Sequence, residues 1–111
     1  MKVIFVCSPF QGKHENIEKA KRYCRMLVDM RYIPIAPHVY FSQFMDDHNP
    51  EDRRRALEMN KKLLEFCDEL WVFGNEITEG MREEIEYFKK IKGEDKIKFL
   101  RDLSVLQTIL K

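Results

Sequence analysis

Val3-Ile4-Phe5-Val6-Cys7 runs unbroken through apolar, largely β-branched and aromatic residues, then gives way to Ser8-Pro9-Phe10-Gln11-Gly12. A short continuous apolar run closed by Pro and Gly reads as a strand buried on both faces and followed by a tight loop. Such a strand needs helices above and below it, and the next segment supplies one. Ile17, Ala20, Cys24, Leu27 and Val28 recur at spacings of three and four, which predicts an amphipathic helix from about His14 to Met30 with Glu15, Lys19 and Arg22 outside. A strand is expected over Tyr32 to Ala36, where Pro34 lacks an N–H and places the strand at a sheet edge or makes it short.

Pro37 to Pro50 has no clean period but carries Tyr40, Phe41 and Phe44 beside His38, Asp46, Asp47 and His48. A loop this long in a small domain is functional or interfacial. Glu51 to Phe66 is again helical in pattern, and Glu69 to Gly74 is a third strand. Thr78 caps a helix running to about Lys92, which Gly93 closes. Lys96 to Leu100 completes the pattern as a last strand, and Asp102 to Leu110 as a terminal helix. Strand and helix thus alternate. The expected fold is α/β, a single domain with an open parallel sheet of four to five strands and helices on both faces, a flavodoxin- or Rossmann-like three-layer arrangement. Ligands of such sheets bind beyond the carboxyl ends of the strands. Three segments meet there: the Ser8 to Gly12 loop, the aromatic loop and the Gly74 to Gly80 turn.

Composition narrows the function classes. The 111 residues carry 20 Lys plus Arg against 19 Asp plus Glu, a formal net charge of +1, with 44% hydrophobic residues. That length supports one core rather than two. The interleaved charges make no field for nucleic acid. The longest apolar run is far short of the roughly 20 residues that span a bilayer, so no membrane partner is expected and the chain reads as cytoplasmic. Cys7, Cys24 and Cys67 are odd in number and widely spaced, which fits free thiols better than disulfides or zinc. His14, His38 and His48 fall in no ligand spacing, and neither metal nor cofactor is expected.

Helix geometry singles out two polar residues. In the second long helix Ala56, Met59, Leu63, Phe66 and Cys67 are predicted to share a face opposite Glu58, Lys61, Lys62 and Glu65, and Asn60 falls inside the apolar cluster. In the third, Met81, Ile85, Phe88 and Ile91 define the buried stripe and Glu84 lies within it, whereas Glu83 turns to solvent. An inward carboxylate is costly unless it is paired, wet or used. It is either a buried ion pair or stripe-end glutamate, or a carboxylate at a cleft floor, where the helix start favours its ionised form. Asn60 is a core amide or a site residue, and Thr78 a helix cap or a ligand contact. The Arg53-Arg54-Arg55 run is a solvated face from which one arginine can meet a phosphate. Ser8-Pro9-Phe10-Gln11-Gly12-Lys13 lacks the glycine pair and Lys-Ser or Lys-Thr ending of a P-loop, and is a candidate anion cradle only through its backbone.

Cys7-Ser-Pro-Phe-Gln-Gly12, Ile33-Pro-Ile-Ala-Pro-His38, Phe41-Ser-Gln-Phe-Met-Asp-Asp47, Cys67-Asp-Glu-Leu-Trp-Val-Phe-Gly74 and Thr78-Glu-Gly-Met-Arg-Glu-Glu-Ile85, in that order, resemble the nucleoside 2-deoxyribosyltransferase-like superfamily. The resemblance is to an uncharacterised branch of small bacterial and phage proteins (DUF4406/DUF7768-like) and covers Lys2 to about Ile91. It implies that Glu84, four residues after Gly80, is the nucleophile, and that Asn60, eight residues before Asp68, stands where an aspartate assists proton transfer. An amide cannot be a general acid, so this is a departure. Thr78 stands where nucleoside-specific members carry an aspartate, and is closer to members acting on 5′-monophosphates.

The implied activity is N-glycosidic hydrolysis or 2-deoxyribosyl transfer on a (deoxy)nucleoside or its 5′-monophosphate. The alternative is a non-catalytic nucleotide-binding sensor or sequestering protein. Implied substrate contacts are Ser8, Pro9, Phe10 and Gly12 of the first loop, His38, Phe41 and Asp47 of the aromatic loop, Arg53, and Thr78, Gly80 and Met81 of the last turn. Tyr40, Phe41 or Phe44 is expected to stack on the base. The partner is a small-molecule nucleoside or nucleotide, and the assembly a homo-oligomer.

Overall fold

The computed structural model describes residues 1–100; the expected helix over Asp102 to Leu110 lies outside them. Four strands form one parallel sheet: β1 (Val3–Cys7), β2 (Ile33–Ile35), β3 (Glu69–Phe73) and β4 (Ile97–Leu100), in the spatial order β2-β1-β3-β4. The register pairs Val3 with Ile33, Ile4 with Glu69 and Leu70 with Ile97. Pro34 sits on the edge strand, where its missing N–H costs no interior ladder bond.

Strand alternation makes two cores from one sheet. Ile4, Val6, Trp71 and Phe73 point to one face, where α1 (His14–Asp29) lays Tyr23, Met26 and Leu27 over them. Tyr23 stacks on Phe73 with ring centroids 4.4 Å apart. Phe5, Cys7, Leu70 and Val72 point to the other face and are covered by Leu64 of α3 (Pro50–Glu65) and by Met81 and Phe88 of α4 (Glu79–Lys92).

The fold is the expected three-layer α/β sheet, and the differences are local. A five-residue helix, α2 (Pro37–Phe41), occupies the start of the aromatic loop. Pro37 holds the first-turn position that its fixed φ suits, but one turn is too short to leave a period in sequence. The stripes of the long helices are rotated from expectation. In α3 Leu64 is fully buried while Met59, and Phe66 just past the helix end, are exposed; in α1 Val28 is exposed and Tyr23 and Met26 are buried; in α4 Ile91 is exposed. Residues at the margins of an apolar arc are assigned poorly by period alone, because the facing surface decides which edge is covered.

One buried carboxylate is structural. Glu69, at the start of β3, accepts from Lys2 Nζ and Trp71 Nε1, each at 2.8 Å, with Lys98 Nζ at 3.5 Å. Burial alone would raise its carboxyl, but the bonds from Lys2 and Trp71 outweigh this and hold it below the usual range.

Candidate active site

The chain leaves β1 for β2 on one side and returns to the other side for β3, so the crevice where strand order reverses opens beyond Cys7 and Phe73. Ligands of open α/β sheets bind at such a point. A cleft of about 390 Å³ lies here, large enough for a small organic molecule. Its wall on α3 is one helical face: Arg53, Ala56, Leu57 and Asn60 follow one another at spacings of three, one and three. Opposite stand Thr78, Gly80, Met81 and Glu84 at the start of α4. Ser8, Phe10, His38, Phe41 and Asp47 close the remaining sides.

Glu84 is half-buried at this floor, and its Oε2 accepts from Asn60 Nδ2 at 2.9 Å. Burial pushes its carboxyl up to about 7; the Cys7 thiol and Asn60 amide oppose the shift, and the charge of Glu83 adds to it. Unlike Glu69, it has no cationic partner among the described residues. The Cys7 thiol itself is pushed well up, first by burial and then by Glu84, which leaves it a neutral floor to the site. Asn60 Oδ1 is buried without a hydrogen-bond partner among the described residues.

The other walls explain their residue types. Thr78 is the N-cap of α4, its Oγ1 accepting from Met81 N at 3.2 Å. Capping and cleft lining therefore coexist in one residue. Ser8 Oγ lies 3.0 Å from His38 Nε2, and the His38 ring sits 5.8 Å from that of Phe10. Burial pushes the imidazole down to about 4, so it is neutral near pH 7. Arg54 and Arg55 pair with Glu51 on the solvent face, whereas Arg53 faces the cleft with no ion-pair partner among the described residues.

Two expected contacts lie outside the cleft. Pro9 lines a separate hollow behind the Ser8 loop and packs near Gly74, with Pro9 Cδ 3.6 Å from where a Gly74 Cβ would stand. Gly12 adopts φ +68°, and a Cβ on it would come 2.9 Å from His48 Nε2. It serves the turn and the packing of the loop after α2. Gly12→Ala is expected to cost about 1–2 kcal/mol through the left-handed backbone and this contact, read as a lowered Tm. An unchanged Tm contradicts it. Of the three loop aromatics only Phe41 lines the cleft; Tyr40 and Phe44 pack on it from outside and remain exposed.

Sequence reasoning placed Gln11, Ser42, Met45 and Asp46 only within candidate loops, without singling them out as contacts, and did not assign the acidic residues Asp52, Glu79 and Glu83 to the site. It also missed Ala56 and Leu57 as lining residues, although both share the face of Asn60 at helical spacing, a signal present in the sequence.

The model of a family described as a domain of unknown function, DUF7768, matches residues 2–97. No curated protein matches the chain. A solved structure of a 2-deoxyribosyltransferase from the psychrotolerant bacterium Bacillus psychrosaccharolyticus is similar at 13% identity, covering 98% of this chain and 90% of its own, with a TM-score of 0.70. At that identity the likeness is one of fold.

Proposed function

The chain belongs to the DUF7768 family, and from the fold it shares with a 2-deoxyribosyltransferase and the geometry of the cleft we propose that it cleaves the N-glycosidic bond of a nucleoside or nucleoside 5′-monophosphate, as a hydrolase or 2-deoxyribosyltransferase. The observation that carries this reading is Glu84: a carboxylate at a ligand-sized crevice, desolvated, steered by Asn60 and given no cation among the described residues. A structural glutamate would be paired as Glu69 is. The enzyme named for the similar solved structure transfers 2-deoxyribosyl groups, which agrees with a glutamate placed to attack a sugar.

In this reading the ionised Glu84 attacks the anomeric carbon as the C1′–N bond breaks through an oxocarbenium-like state. The bond's electron pair leaves on the base, and water or a second base resolves the glycosyl ester. Asn60 Nδ2 fixes the attacking carboxylate. Phe41 and Phe10 offer ring faces for the base, and Ser8, Thr78 and Arg53 border the space for the sugar 5′ end. Incubation with a panel of deoxynucleosides and their monophosphates, followed by chromatography of free base, tests it. Base release supports the proposal, and its absence across the panel contradicts it. Tight binding without release establishes the second reading, a nucleotide-binding protein, which Asn60 favours because an amide has no proton to give.

The pH profile follows from the raised carboxyl. Only ionised Glu84 attacks, so kcat/KM is expected to rise about tenfold per pH unit below about 7 and level off above it. A profile already flat from pH 5 contradicts that role.

Tyr40 and Phe44 stay 62% and 61% exposed beside a third ring that lines the cleft. A second copy seated on them would complete the cleft rim, so a homo-oligomer is the proposed assembly. Light scattering at micromolar concentration is expected to give at least twice the 13.5 kDa chain mass; a monomer that persists with ligand contradicts it.

A further inference from the structure

Resting on the glycosidase reading above, we infer that the cleft selects nucleosides with a free 5′-hydroxyl and a positively charged base, such as an N7-alkylated purine or an N-ribosyl pyridinium. Two features of the cleft carry this independently.

The first is charge. Among the described residues, Asp46, Asp47, Asp52, Glu79 and Glu83 line the cleft with five formal negative charges, against one cation, Arg53. Asp52 accepts from Asp46 N and Asp46 accepts from His48 N, both at 2.9 Å, and these neutral donors leave the charges in place. The starts of α3 and α4 add roughly half a positive charge each, so an excess of about three negative charges remains. A phosphate dianion entering this space meets repulsion that one arginine does not offset. A cationic base is drawn in.

The second is the missing proton. A neutral base leaves as an anion unless an acid protonates it. Of the groups bonded to Glu84, the Asn60 amide has no transferable proton, and the buried Cys7 thiol, pushed well up by desolvation, holds its own. The buried imidazole of His38 is neutral near pH 7. Thr78 Oγ1 accepts from Met81 N and Ser8 Oγ lies against His38, and an aliphatic hydroxyl is in any case too weak an acid to protonate a leaving base.

A cationic base needs no acid. As Glu84 bonds to C1′, the pair of the breaking C1′–N bond returns to the ring nitrogen, cancels its charge and lets the base depart neutral. The positive charge then developing on the sugar still faces carboxylates. Water afterwards hydrolyses the ester, restoring ionised Glu84, forming the sugar hydroxyl and releasing one proton to solvent.

The test compares 7-methylguanosine, guanosine and their 5′-monophosphates as substrates of the full chain, each kcat/KM divided by the compound's spontaneous cleavage rate. The expected result is a preference of at least about tenfold for 7-methylguanosine over guanosine, and for each nucleoside over its monophosphate, shrinking as salt is raised. Guanosine cleaved equally well, a preferred monophosphate or a salt-independent ratio overturns the inference and leaves the glycosidase reading standing. Failure to release base from any compound, with the deoxynucleoside panel also negative, overturns both.

Discussion

Glu84→Gln is expected to lower base release by at least about 10³-fold while the chain still folds and binds, because the amide keeps the shape and the bond to Asn60 but cannot form a glycosyl ester. The same substitution should stabilise the protein. The folded-state carboxyl lies near 7 against 4.5 for the ordinary group, so the folded chain holds this proton more tightly than the unfolded one. That contribution is whole below about pH 4.5, is lost as pH rises through 7, and appears above 7 as the cost of keeping a desolvated charge. Glutamine removes the cost, so a gain of about 1–3 kcal/mol is expected at pH 8, fading near pH 4.5. Denaturant unfolding at both pH values checks this. Glu83→Gln, at an exposed neighbour, is the control: an equal loss of activity there contradicts the assignment.

Asn60→Asp is expected to raise the release of neutral bases by about 10²–10⁴-fold, the usual worth of a positioned general acid. Two carboxyls in contact share a proton at neutral pH, so the new side chain can hold what a departing base needs. The pair should also move the pH profile upward, since ionised Glu84 now meets a like charge. A wild type that already cleaves neutral nucleosides fast, with an aspartate variant no faster, shows that Asn60 does not limit the reaction.

The sheet was legible because its two central strands are buried and largely apolar on both faces. Val3 to Cys7 and Glu69 to Phe73 admit few other readings, and Pro34 marked the edge. Glu84 and Asn60 were legible for the opposite reason, as polar residues that break an apolar period, and the structure brings them 2.9 Å apart. The acidic cleft wall was not. Asp46, Asp52, Glu79 and Glu83 look like solvated charges in any window, and only the meeting of α3, α4 and the loop after α2 sets them around one space. That Gly12 lies outside the cleft was not legible, because a glycine after a strand suits an anion cradle and a tight turn equally, and its contact with His48 lies 36 residues away.

The most direct measurement of the central claim is the mass of the intact chain after mixing with a cleavable nucleoside and quenching in acid, followed by peptide mapping. A nucleophilic Glu84 predicts a population heavier by one sugar residue, with the addition on the peptide holding Glu84 and absent from Glu84→Gln. Base release with no sugar on that peptide, or with the sugar on another residue, contradicts it.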